Sequence, residues 1–292
     1  MMSEAKRIAF VINPNSGPKK KENIVDVITK NISPNIAYDI ILWKDKNGFE
    51  EIKKQITSGK YTTVVAVGGD GTVNEVAKNL ANTGIILGII PRGSGNGLSR
   101  SLGIPQKAID ALKRIENGTI KTIDNGVING HFFTCAAGIG FDAHIGKLFT
   151  SSKTRGLMSY IKISIAQILS YRAKEYTIEI NNEIIKTKAF LIGFANAGQY
   201  GNDFYIAPQA KMDDGLIHMV IVKPFNIFNS LNILVKVLKR EAHLSKKIVT
   251  LTSNKIKIKN LANDAIHFDG EPGVIETELE VTINPQSLKV IC

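Results

Sequence analysis

Cysteine is scarce in this chain of 292 residues, which holds only Cys135 and Cys292. Two thiols so placed supply neither a disulfide framework nor a zinc site, and a reducing, cytoplasmic setting is expected. Long hydrophobic runs are missing too. Gly84–Ile90, among the longest, is far too short to span a bilayer. Residues 1–7 lead straight into a first strand without the pattern of a secretory leader. No glycine-rich turn ends in Gly-Lys-Ser/Thr, which excludes a Walker A loop. Neither glycine loop gives Gly-x-Gly-x-x-Gly on the first strand, which argues against a Rossmann dinucleotide site. His131, His144, His218 and His243 lack ligand spacing, and His267 reads as a strand residue. Internal repeats, low-complexity segments and an obvious flexible linker are absent as well.

What is present has the make-up of an ordinary globular chain, 43% hydrophobic and 22% charged, with length for about two domains. The formal charge of +11 calls for an acidic partner or surface. Lys153–Lys174 carries Lys153, Arg155, Lys162, Arg172 and Lys174 without an acid, and Lys223–Lys259 carries nine basic residues against Glu241 alone. Asp264–Glu280 is acidic. Two helical stretches lie inside the basic tracts. Leu157–Leu169 aligns Leu157, Ile161, Ile165, Ile168 and Leu169, and Phe225–Leu238 aligns Phe228, Leu231, Leu234, Val235 and Leu238. An apolar face flanked by lysines suits an anionic membrane surface. Packing of those faces on the core is the more usual explanation, and a solvated lysine-rich face is the plainer reading of the charge.

The first half alternates strand and helix. Strands are expected at Lys6–Ile12, Ile36–Trp43, Thr62–Val67 and Gly84–Ile90, with helices at Lys20–Asn31, Phe49–Thr57, Thr72–Leu80 and Pro105–Asn117. This pattern predicts a doubly wound, mostly parallel sheet. Three loops would line its carboxyl edge: Asn13-Pro14-Asn15-Ser16-Gly17, Gly68-Gly69-Asp70-Gly71-Thr72-Val73-Asn74-Glu75, and Pro91-Arg92-Gly93-Ser94-Gly95-Asn96-Gly97. Glycines let a backbone approach a ligand closely, and a helix start offers unpaired N–H groups to phosphate. Asp70 would repel a bare phosphate, so a metal ion between them is expected. The alternative is a tight turn with Asp70 as N-cap. From Thr119 onward the chain changes to short alternating segments at Ile120–Asp124, Phe132–Ala137, Tyr176–Ile180, Lys188–Phe194, Ile217–Val222, Lys255–Ile258 and Leu279–Ile283. These predict an antiparallel β domain, sandwich or split barrel.

Together the motifs Gly68–Glu75 and Pro91–Asn96 resemble those of the diacylglycerol kinase catalytic-domain family, which includes bacterial lipid kinases and eukaryotic sphingosine and ceramide kinases. The resemblance extends to Asn13–Gly17, Gly138-Ile139-Gly140-Phe141-Asp142-Ala143, Ala207–Leu216 and Asp269-Gly270-Glu271. It implies a phosphofructokinase- and NAD-kinase-like α/β domain over residues 1–126, with 284–292 packing back on it, and a β-sandwich lipid-substrate domain over 127–283. By the same resemblance, Asn13, Pro14, Asn15, Ser16 and Gly17 would contact ATP. Gly68, Gly69, Asp70, Gly71, Thr72, Val73, Asn74 and Glu75 would wrap its phosphates, with Ser94 nearby. Asp70 would organise catalytic Mg2+, Glu271 would be the general base, and Asp124 would join the acidic network. Asp214 by its side chain, with Lys211 and Leu216 by their carbonyls, would match a structural magnesium site.

Phosphoryl transfer makes sense of the same residues, since it needs charge neutralisation and a base near the acceptor. Asp269 and Glu271 are both candidates for that base, and an exposed acidic turn is the alternative for the pair. Two positions depart from the family's pattern. Gly97 stands where many bacterial members carry aspartate, which leaves the acceptor lipid open, and Trp43-Lys44-Asp45 stands where a threonine usually meets the nucleotide, which leaves Lys44 a weak candidate. The expectation is an ATP- and Mg2+-dependent lipid kinase acting on diacylglycerol, a sphingoid base or a related lipid that enters between the domains. It would be cytoplasmic and peripheral to an anionic membrane, with no nucleic-acid partner, and compatible with a homodimer. The alternatives are a kinase of a soluble substrate, as in the NAD kinase group, and a catalytically silent nucleotide- or lipid-binding regulator.

Overall fold

The computed structural model describes residues 7–14, 16, 23–43, 48–151, 157–168, 170–199, 204–260 and 264–292. Lys6, Asn15, Gly17, Lys20, Lys44, Asp45, Lys153, Arg155 and Leu169 of the expectations above lie outside the described residues. The chain forms two units, residues 1–123 with 286–292, and residues 124–285.

The first unit runs β1 (Arg7–Ile12), α1 (Ile24–Asn31), β2 (Ala37–Leu42), α2 (Phe49–Ile56), β3 (Thr63–Gly68), α3 (Asp70–Leu80), β4 (Ile86–Pro91), α4 (Gly97–Ser101), α5 (Ala108–Asn117) and the start of β5 (Ile120–Ile128). Its strands pair in parallel in the order β2-β1-β3-β4. Strands β1 and β3 are buried almost throughout, which is why they read as unbroken apolar runs rather than alternating ones. Right-handed crossovers put α1 on one face of such a sheet and α2 and α3 on the other, and α5 packs beside α1. The strand order therefore reverses between β1 and β3. Their carboxyl ends flank the switch point, where open α/β sheets place ligands.

The C-terminal tail completes this unit. It belongs to β16 (Glu278–Ile291), whose last residues lie parallel to β4, with Lys289 opposite Ile86 and Val290 opposite Leu87. Cys292 and Thr119 exchange backbone hydrogen bonds of 2.9 and 3.0 Å. Leu288, Val290 and Ile291 are buried.

The second unit contains β6 (His131–Phe133), β7 (Ala136–Gly140), α6 (Phe141–Ser151), α7 (Leu157–Ile168), β8 (Lys174–Ile180), β9 (Glu183–Ala189) and β10 (Leu191–Ala195). It continues with β11 (Ile217–Val222), α8 (Ile227–Leu238), β12 (Ile248–Ser253), β13 (Lys255–Lys259), β14 (Ile266–Phe268) and β15 (Glu271–Pro272). One antiparallel sheet has the order β12-β11-β10-β7-β14-β15. A second antiparallel layer pairs β9 with β8, β8 with β13, and β13 with the first part of β16. Ile139, Ile192, Phe194 and Met219 from the first layer and Ile178, Ile256, Ile258 and Val281 from the second share one buried core, which makes the unit a sandwich. The opposite face of the first sheet, with Val220, Val222 and Ala195, is covered by Phe141 and Ile145 of α6 and Val237 of α8. The fold is thus a doubly wound parallel α/β domain followed by an antiparallel β-sandwich.

Local chemistry explains where elements differ from the periodicity. The expected strand Phe132–Ala137 is two strands separated at Thr134-Cys135, and Lys188–Phe194 is interrupted at Phe190. The hairpin β8–β9, absent from the periodicity, turns at Asn181 and Asn182, both with positive φ (51° and 65°), as a type I′ turn requires.

Candidate active site

In the first unit, three loops meet at the carboxyl ends of β1, β3 and β4. Asn13 follows β1, and its backbone N–H donates to the Val67 carbonyl at 3.2 Å. Its side chain Nδ2 donates to Thr72 Oγ1 at 3.1 Å, which ties the first loop to the first turn of α3. Ser16 folds back, its Oγ donating to the Asn13 carbonyl at 2.7 Å. Pro14 is exposed, and so is Ser94 at the tip of the loop after β4. Arg92 N–H donates to the Gly68 carbonyl at 2.7 Å, and partial burial pushes its guanidinium pKa below the usual value.

Gly69, not Asp70, is the N-cap of α3. Asp70 instead reaches the next loop, where Oδ2 accepts from Asn96 N–H (2.9 Å) and Oδ1 from Gly97 N–H (2.6 Å). It therefore caps α4, 27 residues later. Asn96 is held in the left-handed region (φ 52°). Its side chain closes the loop, accepting from Gly93 N–H at 2.9 Å and donating to the Gly93 carbonyl at 3.0 Å and to Gln106 Oε1 at 3.0 Å. The two glycine loops touch backbone to backbone. A Cβ on Gly93 would stand 2.7 Å from the Gly69 Cα, so a larger residue there forces the loops apart. Thr72 and Val73 are buried, whereas Gly71, Asn74 and Glu75 are half-buried along the start of α3. This arrangement presents the N-terminus of α3, backbone at close approach and one carboxylate at the switch point. It is suited to a phosphate with its counter-cation.

In the second unit, Asp269 and Gly270 (φ 48° and 87°) form the type I′ turn joining β14 to β15, with Phe268 opposite Glu271. The Asp269 carboxylate is clamped. Oδ2 accepts from Thr134 N–H (2.7 Å) and Oγ1 (2.9 Å), and Oδ1 from Cys135 N–H (2.8 Å) and Ala136 N–H (3.0 Å). Four donors on one carboxylate describe an anchor for the turn. Glu271, the first residue past it, is exposed. The geometry thus separates two residues that the sequence treats alike, with Asp269 as the positioning group and Glu271 as the accessible base candidate.

Asp124 is fully buried, and its Oδ2 accepts from Gly215 N–H at 2.7 Å. Its own N–H donates to the Met212 carbonyl at 2.6 Å. Asn196 Nδ2 donates both to the Asp124 carbonyl (2.9 Å) and to the Thr134 carbonyl (2.7 Å). The turn Lys211–Leu216 is in this way connected through Asp124, Asn196 and Thr134 to Asp269 and the hairpin of Glu271. Asp214 Oδ1 accepts from Leu216 N–H, and its Oδ2 faces His218 Nε2, both at 3.0 Å. Each oxygen keeps a second lone pair, and the carbonyls of Lys211 and Leu216 lie on the same turn, so the donor chemistry fits a hard cation. Among the described residues no three His, Cys, Asp or Glu side chains cluster as a ligand set. A magnesium ion here would take single carboxylates, carbonyls, water and phosphate oxygens.

Sequence reasoning passed over several of these residues. Thr134 and Asn196 act through bonds to distant partners that no spacing rule encodes, and Asn96, quoted in the sequence only as part of the third loop, closes that loop on Gly93. The histidines also gain roles that ligand spacing missed. His267 Nε2 pairs with Asp142 Oδ2 at 3.0 Å, His267 buried and Asp142 partly so, and fastens β14 to α6.

Both units have counterparts among known proteins. Residues 7–128 match the model of the diacylglycerol kinase catalytic domain, and residues 135–292 match that of the YegS C-terminal NAD kinase beta sandwich-like domain. The chain is 30% identical over 308 aligned residues to an uncharacterized protein of Synechocystis sp., covering 99% of this chain and 71% of that one. It is 27% identical to a diacylglycerol kinase of Bacillus subtilis, covering 92% and 90%. A crystal structure of a diacylglycerol kinase from Bacillus anthracis superimposes with a TM-score of 0.72 at 22% identity, covering 98% and 96%. An NAD kinase from Archaeoglobus fulgidus in complex with ATP shares the fold at a TM-score of 0.51 and 11% identity, covering 98% and 93%. With both halves matched and a relative 30% identical along 99% of this chain, the chain belongs to the diacylglycerol kinase catalytic-domain family.

Proposed function

We propose that this chain is an ATP- and magnesium-dependent lipid kinase that transfers the γ-phosphoryl group to a hydroxyl of diacylglycerol or a related lipid, a sphingoid base included. The observation that carries the reading is the bond of Asp70 to Asn96 and Gly97, which locks two glycine loops together at the β1/β3 switch point. Those loops and the N-terminus of α3 hold the phosphates, with Asn13, Ser16 and Ser94 on the nucleotide side. Asp70 would hold the catalytic magnesium, which when bound would neutralise charge on the phosphates. Lys211, Asp214 and Leu216 would hold a structural ion on a turn that hydrogen bonds connect to Asp124 and, through Asn196 and Thr134, to the Asp269 turn.

Glu271 takes the proton of the acceptor hydroxyl. The hydroxyl oxygen bonds to the γ-phosphorus as its bond to the bridging oxygen breaks, and ADP leaves. Family membership and the exposure of Glu271 support this assignment. The likeness to an NAD kinase keeps a soluble acceptor as the second reading.

Incubation with γ-labelled ATP and extracted lipids, with and without magnesium, tests both. Label in diacylglycerol or a sphingoid base supports the lipid reading. Label only in a soluble dinucleotide overturns it in favour of the second, and no label in any acceptor overturns kinase activity altogether. Asp70→Ala should abolish transfer while the melting curve retains a single cooperative fold.

A further inference from the structure

The hairpin that carries Glu271 lies at the edge of its sheet and is short. Strand β14 pairs with β7 over three residues, and β15 adds only Glu271 and Pro272. So short a hairpin is marginal by itself and takes its orientation from what it packs on. Its turn is fixed by the Asp269 carboxylate, and its inner face by Ile266 and Phe268, which pack in the sandwich core. Strand alternation sends His267 to the opposite face, toward α6.

On that face the chain leaves room for one polar pair. His267 Nε2 donates to Asp142 Oδ2 at 3.0 Å, and the two side chains are only 6% and 10% exposed. With water nearly excluded, the bond is little screened and favours one orientation of β14. Gly138 of β7 stands directly opposite His267. A Cβ on it would lie 2.6 Å from Asp142 Oδ2 and 2.9 Å from His267 Nε2, so glycine is what lets the pair meet over the sheet. Asp142 Oδ1 accepts from Ala143 N–H at 2.8 Å, which sets its carboxylate at the start of α6. One turn further along, Gly146 approaches the Gly270 carbonyl, and a Cβ on it would stand 3.9 Å away. Helix α6 thus backs both strands of the hairpin.

We propose that Asp142 and His267 are positioning residues for Glu271, an assignment that rests on the reading of Glu271 as the base. Their bond sets the tilt of the β14–β15 hairpin against α6. Phe268, next to His267, lies opposite Glu271, so a tilt of β14 is carried to the carboxylate through one cross-strand pair. A misplacement of about 1 Å at a reacting group can cost on the order of a hundredfold in rate. Replacing a buried pair by apolar side chains, in contrast, often leaves stability unharmed. The two effects can therefore be separated.

Asp142→Leu with His267→Leu removes the bond and keeps the site filled. Its melting temperature should stay close to that of wild type, while kcat falls about tenfold or more. KM for ATP should change less than about twofold, because the glycine loops of the first unit are untouched. Hydrogen–deuterium exchange of the full chain, without ATP or lipid, should be about tenfold faster over residues 266–273 and unchanged over 63–68. His267→Gln puts an amide Nε2 in place of the ring donor and should keep kcat within about threefold of wild type. Gly138→Ala crowds the pair while retaining both side chains, and should slow turnover and loosen the hairpin as the double variant does. Wild-type kcat in the double variant overturns the proposal, as does unchanged exchange over its hairpin. If the double variant does not fold, normal kcat and exchange in Gly138→Ala overturn it instead. A His267→Gln enzyme as slow as the double variant also overturns it, since the hydrogen bond would then not be what matters. Should wild type label no acceptor, the proposed function fails, and the exchange comparison still decides whether the pair holds the hairpin.

Discussion

The carboxylate of Asp269 accepts four hydrogen bonds, whereas that of Glu271, two residues on, is exposed. Substitution should separate the two roles. Glu271→Gln is expected to lower kcat about a hundredfold or more while stability stays within about 0.5 kcal/mol of wild type. Asp269→Asn turns an amide NH2 toward backbone donors and should cost about 2 kcal/mol of stability, measured by urea unfolding. A second residue-scale outcome concerns pH. Lys60, Tyr61 and Arg7 hydrogen-bond Asp39 and hold its carboxyl at about 2, below the ordinary 3.8. The folded state therefore binds fewer protons than the unfolded chain, so this contribution is complete above 3.8 and fades as pH falls toward 2. Solvent screening keeps it within about 1 kcal/mol. The difference in melting temperature between wild type and Asp39→Asn should shrink over that window. A difference that grows on acidification would contradict the assigned pairing.

At the scale of elements, the proposed nucleotide side depends on loops fitting each other more than on any one side chain. Gly93→Ala brings a Cβ to 2.7 Å from the Gly69 Cα, so β3 and β4 keep their pairing while the loops beyond them separate. KM for ATP is expected to rise about tenfold or more, with a smaller change in melting temperature. An unchanged KM would mean that the loops do not hold the nucleotide. The alternation of strand and helix in the first half was legible because β1 and β3 are apolar throughout and the helices are amphipathic. Helix α6 was not legible, because it opens at Phe141 directly after β7, with no intervening turn signal. Strand β12 was masked by the surrounding lysines. Asn129-Gly130, with φ of 48° and 85°, is a turn signal of the strongest kind and joins β5 to β6, which periodicity alone left unmarked.

For the molecule as a whole, the chain leaves its first unit at residue 123 and returns to it at residue 286. The returning tail buries Leu288, Val290 and Ile291 and extends the parallel sheet beyond β4. Deletion of 286–292 should remove more than about 4 kcal/mol, since each such side chain contributes about 1.5–3 kcal/mol. Far-UV circular dichroism and thermal melting would register the loss in the first unit, and an unaltered melt would show the tail to be dispensable. The described helices include none long and apolar enough to cross a membrane.

The order of strands and helices in the first half, the three glycine- and asparagine-rich loops and the β character of the second half followed from the sequence alone. Hydrophobic periodicity and turn residues act over a few neighbours, and so they are written locally. The partners of polar groups are not local. Asp70 caps a helix 27 residues away, and Asp269 is clamped by backbone N–H groups about 135 residues earlier. Periodicity also identifies an apolar face without saying what covers it, which is why the stripe on α8 could be drawn from the sequence and only the packing of Val237 showed that it is left to solvent. The sequence determined which residues are apolar, glycine or acid and in what rhythm. The tertiary structure decided which of those acids are anchored and which apolar face stays bare, because both depend on neighbours brought together only by the closed chain.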